Sequence, residues 1–214
     1  MSDRDQASVP DAVPQERILR YSNTAVAIHW VTVVLVLFQI WLGFSFADLA
    51  PGPERGQLFT WHKTIGALIL LATIARLTYR MINPPPPFPT DLPKWERVSA
   101  VWNHRLFYIL LIGLPIGGLI AVSGHAKGPT TSLLGGVPLP VIPGISEQMG
   151  EIAGGLHSAG AVALIALIAL HLAAALKHQF VDHAPASGRM PPFRPPHGEQ
   201  VVIGQGSAAR PEAD

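Results

Sequence analysis

Two histidines separated by fourteen positions, His157 and His171, lie in the apolar run 152–176. At 100° and 1.5 Å per residue this spacing turns a helix almost four times, so both imidazoles share one face about 21 Å apart. An ionisable residue inside a membrane span is a functional candidate, and two on one face point to two stacked sites. A lone histidine in a span ordinarily hydrogen-bonds a neighbouring helix. Depth separates these from that case. His29 lies four residues inside the first apolar run, and His171 five residues from the end of the last. His62 opens the second run, at the depth where His157 lies five residues into the last. Two pairs therefore match in depth, one near each face of a bilayer.

Facing neutral imidazoles in a helix bundle can hold a haem iron by both axial positions. Such an iron is suited to electron transfer, and two such groups stacked along one helix would carry electrons across a membrane. Gly43, Gly66, Ala67, Gly155, Gly160 and Ala163 offer small surface against which a flat ring can lie. Zinc or copper is a weaker reading, because two histidines per depth leave the ion short of ligands and the spans hold no Cys, Asp or Glu. A proton or ion transporter is disfavoured by the lack of an intramembrane carboxylate and of an inverted repeat.

The elements that must position these residues follow from composition. In 214 residues only 14% are charged, and the mean hydropathy is +0.32. Apolar runs of spanning length cover 25–46, 62–81, 106–123 and 152–176, which predicts an all-α membrane protein with a bundle of four transmembrane helices. Arg76 lies inside the second run, five positions from its end, where it can snorkel to the interface. Pro115, Gly117 and Gly118 in the third run predict a kink or a close helix approach. The absence of cysteine excludes disulfides, iron–sulfur clusters and thioether-attached haem.

Of the fifteen Lys and Arg, twelve fall on the side of both termini and the second loop; only Arg55, Lys63 and Lys127 lie opposite. The positive-inside rule then puts both termini in the cytoplasm of a multi-pass inner-membrane protein. No signal peptide is expected, since the first apolar run starts late and spans a full bilayer. Residues 1–18 and the Pro-rich stretch 184–214 read as disordered cytoplasmic tails flanking a membrane domain at 19–183. The proline run 84–87 ends the second helix and reads as a stiff connector. The loop 124–151 contains Leu133, Leu134, Val137 and Leu139 and is expected to fold back over the outer end as a lid.

The chain resembles the bacterial cytochrome b561 family of four-helix dihaem membrane cytochromes. The residues that carry the resemblance are His29-Trp30 after Tyr21-Ser22, His62 followed by Gly66, and the H-x13-H of His157 and His171. The Tyr108, Leu114-Pro115, Gly118-Leu119 pattern and AAALKHQF after His171 extend it over about 19–180. The resemblance implies two haems b with axial pairs His29/His171 and His62/His157, and ubiquinone as substrate. It implies a periplasmic donor, with superoxide the donor of characterised relatives, and so an oxidoreductase of the respiratory electron-transport type. It also places His104 beside the inner haem and His178 beside a quinone. His178 lies seven residues past His171 on the same face, and a solvated helix-end histidine is the competing reading. Arg76 and Arg20, with Arg80 and Arg105, are candidate partners for haem propionates, against simple interfacial anchoring.

Lys63 adjoins His62 and is a candidate anion entrance on the outer face. The outer loops set Arg55, Lys63 and Lys127 against Asp48, Glu54, Glu147 and Glu151, which weakens a simple electrostatic funnel. The other reading of the same module is a haem-bearing anchor subunit of a larger oxidoreductase, as in hydrogenase-type b subunits, with a soluble redox partner docked on one face. Lipid and quinone are the expected partners, and nucleic acid is not.

Overall fold

The computed structural model describes residues 17–88, 92–182, 189–192 and 200–203. Four helices dominate: α1 Asn23–Ala47, α2 Pro53–Ile82, α3 Lys94–Gly124 and α4 Glu147–Phe180. All four are long and apolar enough to cross a membrane. Each extends beyond the apolar run that marks it, because its ends carry their own start signals. Ser22 caps α1 by accepting from the Ala25 amide at 3.2 Å, and Ser146 caps α4 by accepting from the Met149 amide at 3.2 Å. Pro53 with Glu54 starts α2, and α3 begins directly after Pro93 with Glu96 in its first turn.

These early starts correct two sequence expectations. His62 does not open its helix but lies within α2, and α3 begins well before the apolar run at 106–123, so that His104 lies a few turns inside it. Hydropathy marks where hydrocarbon begins, whereas capping residues mark where helix begins.

The helices pack in series: α1 on α2, α2 on α3, and most extensively α3 on α4. Little direct packing joins α1 to α4 or α2 to α4. The α3–α4 seam is built on glycine. A Cβ at Gly124 would lie 2.7 Å from the Gly150 Cα and 2.8 Å from the Ser146 carbonyl, so the two backbones touch there. Without a hydrophobic drive between helices in lipid, such close van der Waals contact is what joins them. Pro115 sits inside α3 without ending it. Buried Val36, Leu42, Ile65, Ile69, Leu111 and Leu164 form the thin core, while Val34, Leu71, Ile109 and Val162 face outward, as lipid-facing surface requires. Hydroxyls inside the bundle bond back to their own helix: Thr32 to the Ile28 carbonyl, Thr73 to Ile69 and Ser123 to Leu119, each at 2.7 Å.

At one end of the bundle, here the lid end, the segment after α3 folds back as expected. Its antiparallel pair β2 Thr130–Ser132 and β3 Pro138–Pro140 flanks a 3-10 turn at Leu134–Gly136. The Leu134 amide donates to Thr64 Oγ1 at 3.0 Å and the Ile142 amide to Ser123 Oγ at 2.9 Å. Both bonds hold the lid down on α2 and α3.

The opposite end, here the tail end, carries a clasp. Strand β1 Arg17–Arg20 pairs in parallel with β4 Gln200–Ile203. Between α4 and β4, residues 189–192 cross to α1: the Tyr21 amide donates to the Arg189 carbonyl at 3.2 Å, and Trp30 Nε1 to the Pro191 carbonyl at 2.8 Å. Arg189 Nη1 also donates to the Pro86 carbonyl at 3.4 Å. The stretch 184–214, expected to lack structure, thus contributes a strand where Val201, Val202 and Ile203 supply an apolar run. The rest of the tail reading, at 1–16, 183–188, 193–199 and 204–214, lies outside the described residues.

Candidate haem sites between the helices

At the lid end, the imidazoles of His62 on α2 and His157 on α4 face each other with ring centroids 6.0 Å apart and planes at 70°. His157 Nδ1 is 2.8 Å from the Leu114 carbonyl. A carbonyl only accepts, so Nδ1 carries the proton and Nε2 is left with its lone pair free, the form an iron ligand needs. Gly118 lies against the same ring, 3.2 Å from its Cε1 to where a Cβ would stand. On the other side Gly43 backs His62, and Phe46 meets its ring edge-on at 5.1 Å. Gln39 Nε2 donates to the His62 carbonyl at 3.0 Å, fixing the ligand's backbone. Sequence reasoning passed over Gln39, although an uncharged polar residue in the middle of an apolar run was a signal.

At the tail end, a cavity open on one side lies among the four helices. His29, His171 and His104 line it with Arg76, Tyr108 and Phe107, closed by apolar Val36, Leu111, Leu164 and Ile168. Phe107 meets the His171 ring at 5.4 Å, and His104 meets it at 6.0 Å. Tyr108, also passed over as a site residue, lies beside Arg76 with its hydroxyl buried.

Both arrangements fit a flat iron macrocycle. Each pair joins helices that make little direct contact, α1 with α4 and α2 with α4, and at the tail end His29 and His171 line one cavity. His29 Nδ1 and His62 Nδ1 are buried without a hydrogen-bond partner among the described residues, so the protein does not use up these rings' bonding capacity. Two of the small residues expected to flank a ring are taken by protein instead. Gly66 faces the Gln39 side chain at 3.2 Å and Gly160 faces Leu114 Cδ2 at 2.8 Å, because these glycines fall on helix–helix seams rather than on the slots.

Residues 20–192 match the family described as prokaryotic cytochrome b561. The chain belongs to that family. It is 30% identical over 179 residues to cytochrome b561 homolog 2 of Escherichia coli K12, covering 80% of this chain and 90% of the relative. It is 26% identical to the probable superoxide oxidase CybB of Yersinia pestis, over 76% and 90% of the two chains. To cytochrome b561 homolog 1 of Escherichia coli K12 it is also 26% identical, over 82% and 98%. The protein is therefore an integral bacterial membrane protein of a haem b electron-transport family.

The remaining candidates are placed as follows. Arg76 reaches the tail-end cavity. Arg20 instead donates to Asn23 Oδ1, with its Nε buried, and Arg105 stacks over Trp102 at 5.3 Å. Lys63 Nζ donates to Thr131 Oγ1 at 2.6 Å and lies over the Phe59 ring, so it ties the lid to α2. His178 Nδ1 is 3.0 Å from Asp182 Oδ2, and its Nε2 lies 4.0 Å from Glu96 on α3. Lys177 joins the same two carboxylates, at 2.5 Å from Asp182 and 3.6 Å from Glu96.

Proposed function

We propose that this protein carries electrons across the bacterial inner membrane through two haems b, one held by His29 and His171 and one by His62 and His157. The donor is superoxide at the lid end, on the periplasmic side, and the acceptor is ubiquinone at the tail end, with both termini cytoplasmic. The observation that carries this reading is the double slot: two histidine pairs at two depths, each spanning helices that leave room between them. A haem b with both axial positions filled by imidazole supplies one-electron transfer.

The chain's own residues supply the rest. Leu114 holds His157 in the ligating tautomer, Gly118 and Gly43 set the two rings' approach, and Gln39 holds the His62 backbone. Apolar walls from α1, α3 and α4 exclude water around His29 and His171, and Arg76 offers the charge that a propionate needs at depth. At the tail end His178, held by Asp182 near Glu96, is placed to pass protons to a reduced quinone. The balance is two superoxides oxidised to two dioxygens, with two electrons and two protons taken up by one quinone. The Lys63–Thr131 contact, which puts a cation at the lid next in sequence to His62, supports an outer reaction face. The similarity to a probable superoxide oxidase supports the choice of donor.

The test is the reduced-minus-oxidised absorbance spectrum and haem-to-protein ratio of the purified protein, followed by superoxide pulses with and without ubiquinone. Two haems per chain, with quinone-dependent consumption of superoxide, are expected. A haem-free protein overturns the reading, and two haems without superoxide-driven quinone reduction overturn the donor.

A further inference from the structure

The two imidazoles at the lid end are held by different means. His157 Nδ1 bonds to the Leu114 carbonyl at 2.8 Å, which fixes its tautomer and the rotation of its ring. His62 Nδ1 is buried and has no hydrogen-bond partner among the described residues. Gln39 holds only the His62 backbone, so the rotation of this ring is set by what packs against it.

What packs against it comes from α1. Gly43 lies beside Cε1, which is 3.6 Å from where a Cβ would stand, an ordinary contact that leaves the ring room to turn. Phe46, three residues on, meets the ring edge-on, with centroids 5.1 Å apart and planes at 80°. Edge-to-face is a preferred arrangement of aromatic rings, and it weakens when either ring turns.

Phe46 is itself held. It also meets Phe59, one turn before His62 on α2, at 5.5 Å and 72°. The Lys63 ammonium lies over the Phe59 ring at 5.3 Å, and Lys63 Nζ donates to Thr131 Oγ1 of the lid at 2.6 Å. Thr131, Lys63, Phe59, Phe46 and His62 thus form one unbroken series of contacts from the lid to the imidazole.

We infer that Phe46 is a positioning residue for His62, and that the docked lid, acting through Lys63 and Phe59, holds Phe46 in place. The inference rests on the reading of His62 as an iron ligand. Docking of the lid and orientation of that ligand then form one structural unit.

The angle between two axial imidazole planes shapes the low-spin electron paramagnetic resonance signal of an oxidised haem iron. Near-perpendicular rings give a strongly anisotropic signal with a large leading g value, and parallel rings give a rhombic one. The His62 and His157 planes stand at 70°, on the anisotropic side.

The experiment compares the full-length protein with Phe46→Leu, which keeps bulk but no flat ring, with Phe46→Tyr, which keeps the ring, and with Thr131→Val, which removes only the lid hydroxyl. Electron paramagnetic resonance and redox titration followed by absorbance are recorded for each, and the lid-end signal is the one missing from His157→Ala. Expected for Phe46→Leu are a leading g value moved down toward the rhombic pattern and a shifted midpoint potential at the lid-end haem, with the other haem unchanged. Phe46→Tyr keeps the parent signal, and Thr131→Val moves the same g value in the same direction by a smaller amount. Parent g values in Phe46→Leu overturn the positioning role, as does an equal change at both haems, and parent g values in Thr131→Val overturn the part of the lid. If Phe46→Leu loses the lid-end haem outright, haem and parent signal retained in Phe46→Tyr uphold the role of the ring, and loss from both overturns it. A parent protein without haem defeats the underlying functional reading instead, which separates the two failures.

Discussion

His62 and His157 confront each other at 6.0 Å, and each has a glycine at its back, but the two glycines are not equally tight. A methyl group at residue 118 would stand 3.2 Å from His157 Cε1, whereas one at residue 43 would stand 3.6 Å from His62 Cε1, an ordinary contact. Gly118→Ala is therefore expected to push His157 off its position at a cost of about 1–3 kcal/mol, as overpacking does. Gly43→Ala should be near neutral. Absorbance and haem content of the two variants check this, and equal effects from both would refute the asymmetry.

Pairing makes a sharper forecast. His62→Ala and His157→Ala should remove one and the same spectral component, and His29→Ala and His171→Ala the other, each leaving about half of the parent haem. Low-temperature difference spectra of the four variants decide it. Loss of the same component in His62→Ala and His171→Ala would break the assignment.

The α3–α4 seam should tolerate no side chain where backbones meet. Gly124→Val and Gly150→Val each place carbon within about 3 Å of opposing backbone, which cannot move aside as a side chain can. Both variants are expected to lose folded, monodisperse protein in detergent. Gly113→Ala, in open space on the same helix, should leave it unchanged.

The four spans, the depth-matching of the histidines and the lid were legible in the sequence, because lipid imposes length and hydropathy and a helix imposes 3.6-residue geometry. Less legible was which faces meet. Gly66, Gly118 and Gly160 are alike as letters, yet one meets a glutamine, one an imidazole and one a leucine, and only the packed helices distinguish them. Helix starts were misplaced at His62 and His104 because Pro53 and Pro93 begin helices in polar sequence ahead of the apolar runs. The contact of Trp30 with Pro191 had no local signal, since 161 positions separate the two residues.

Beyond the last turn of α4, the hydrogen bond from Lys177 holds the Asp182 carboxyl below its ordinary range, with a further contribution from His178. A carboxyl with a depressed folded pKa stabilises the fold above its unfolded pKa and loses that contribution as pH falls through the lowered value. The site is open to solvent, so the effect is small. Asp182→Asn should melt slightly below the parent at neutral pH, and the gap should close in acid. A gap that widens in acid contradicts the assignment.

The clasp at the tail end has a consequence for the order in which the molecule is completed. Strand β1 precedes every helix and β4 follows every helix, so their pairing can form only after α4 has been synthesised and inserted. The same holds for the bond from Trp30 to Pro191, which ties α1 to the chain beyond α4. The strap that ties α1 to the chain beyond α4 is thereby among the last of the described contacts to form.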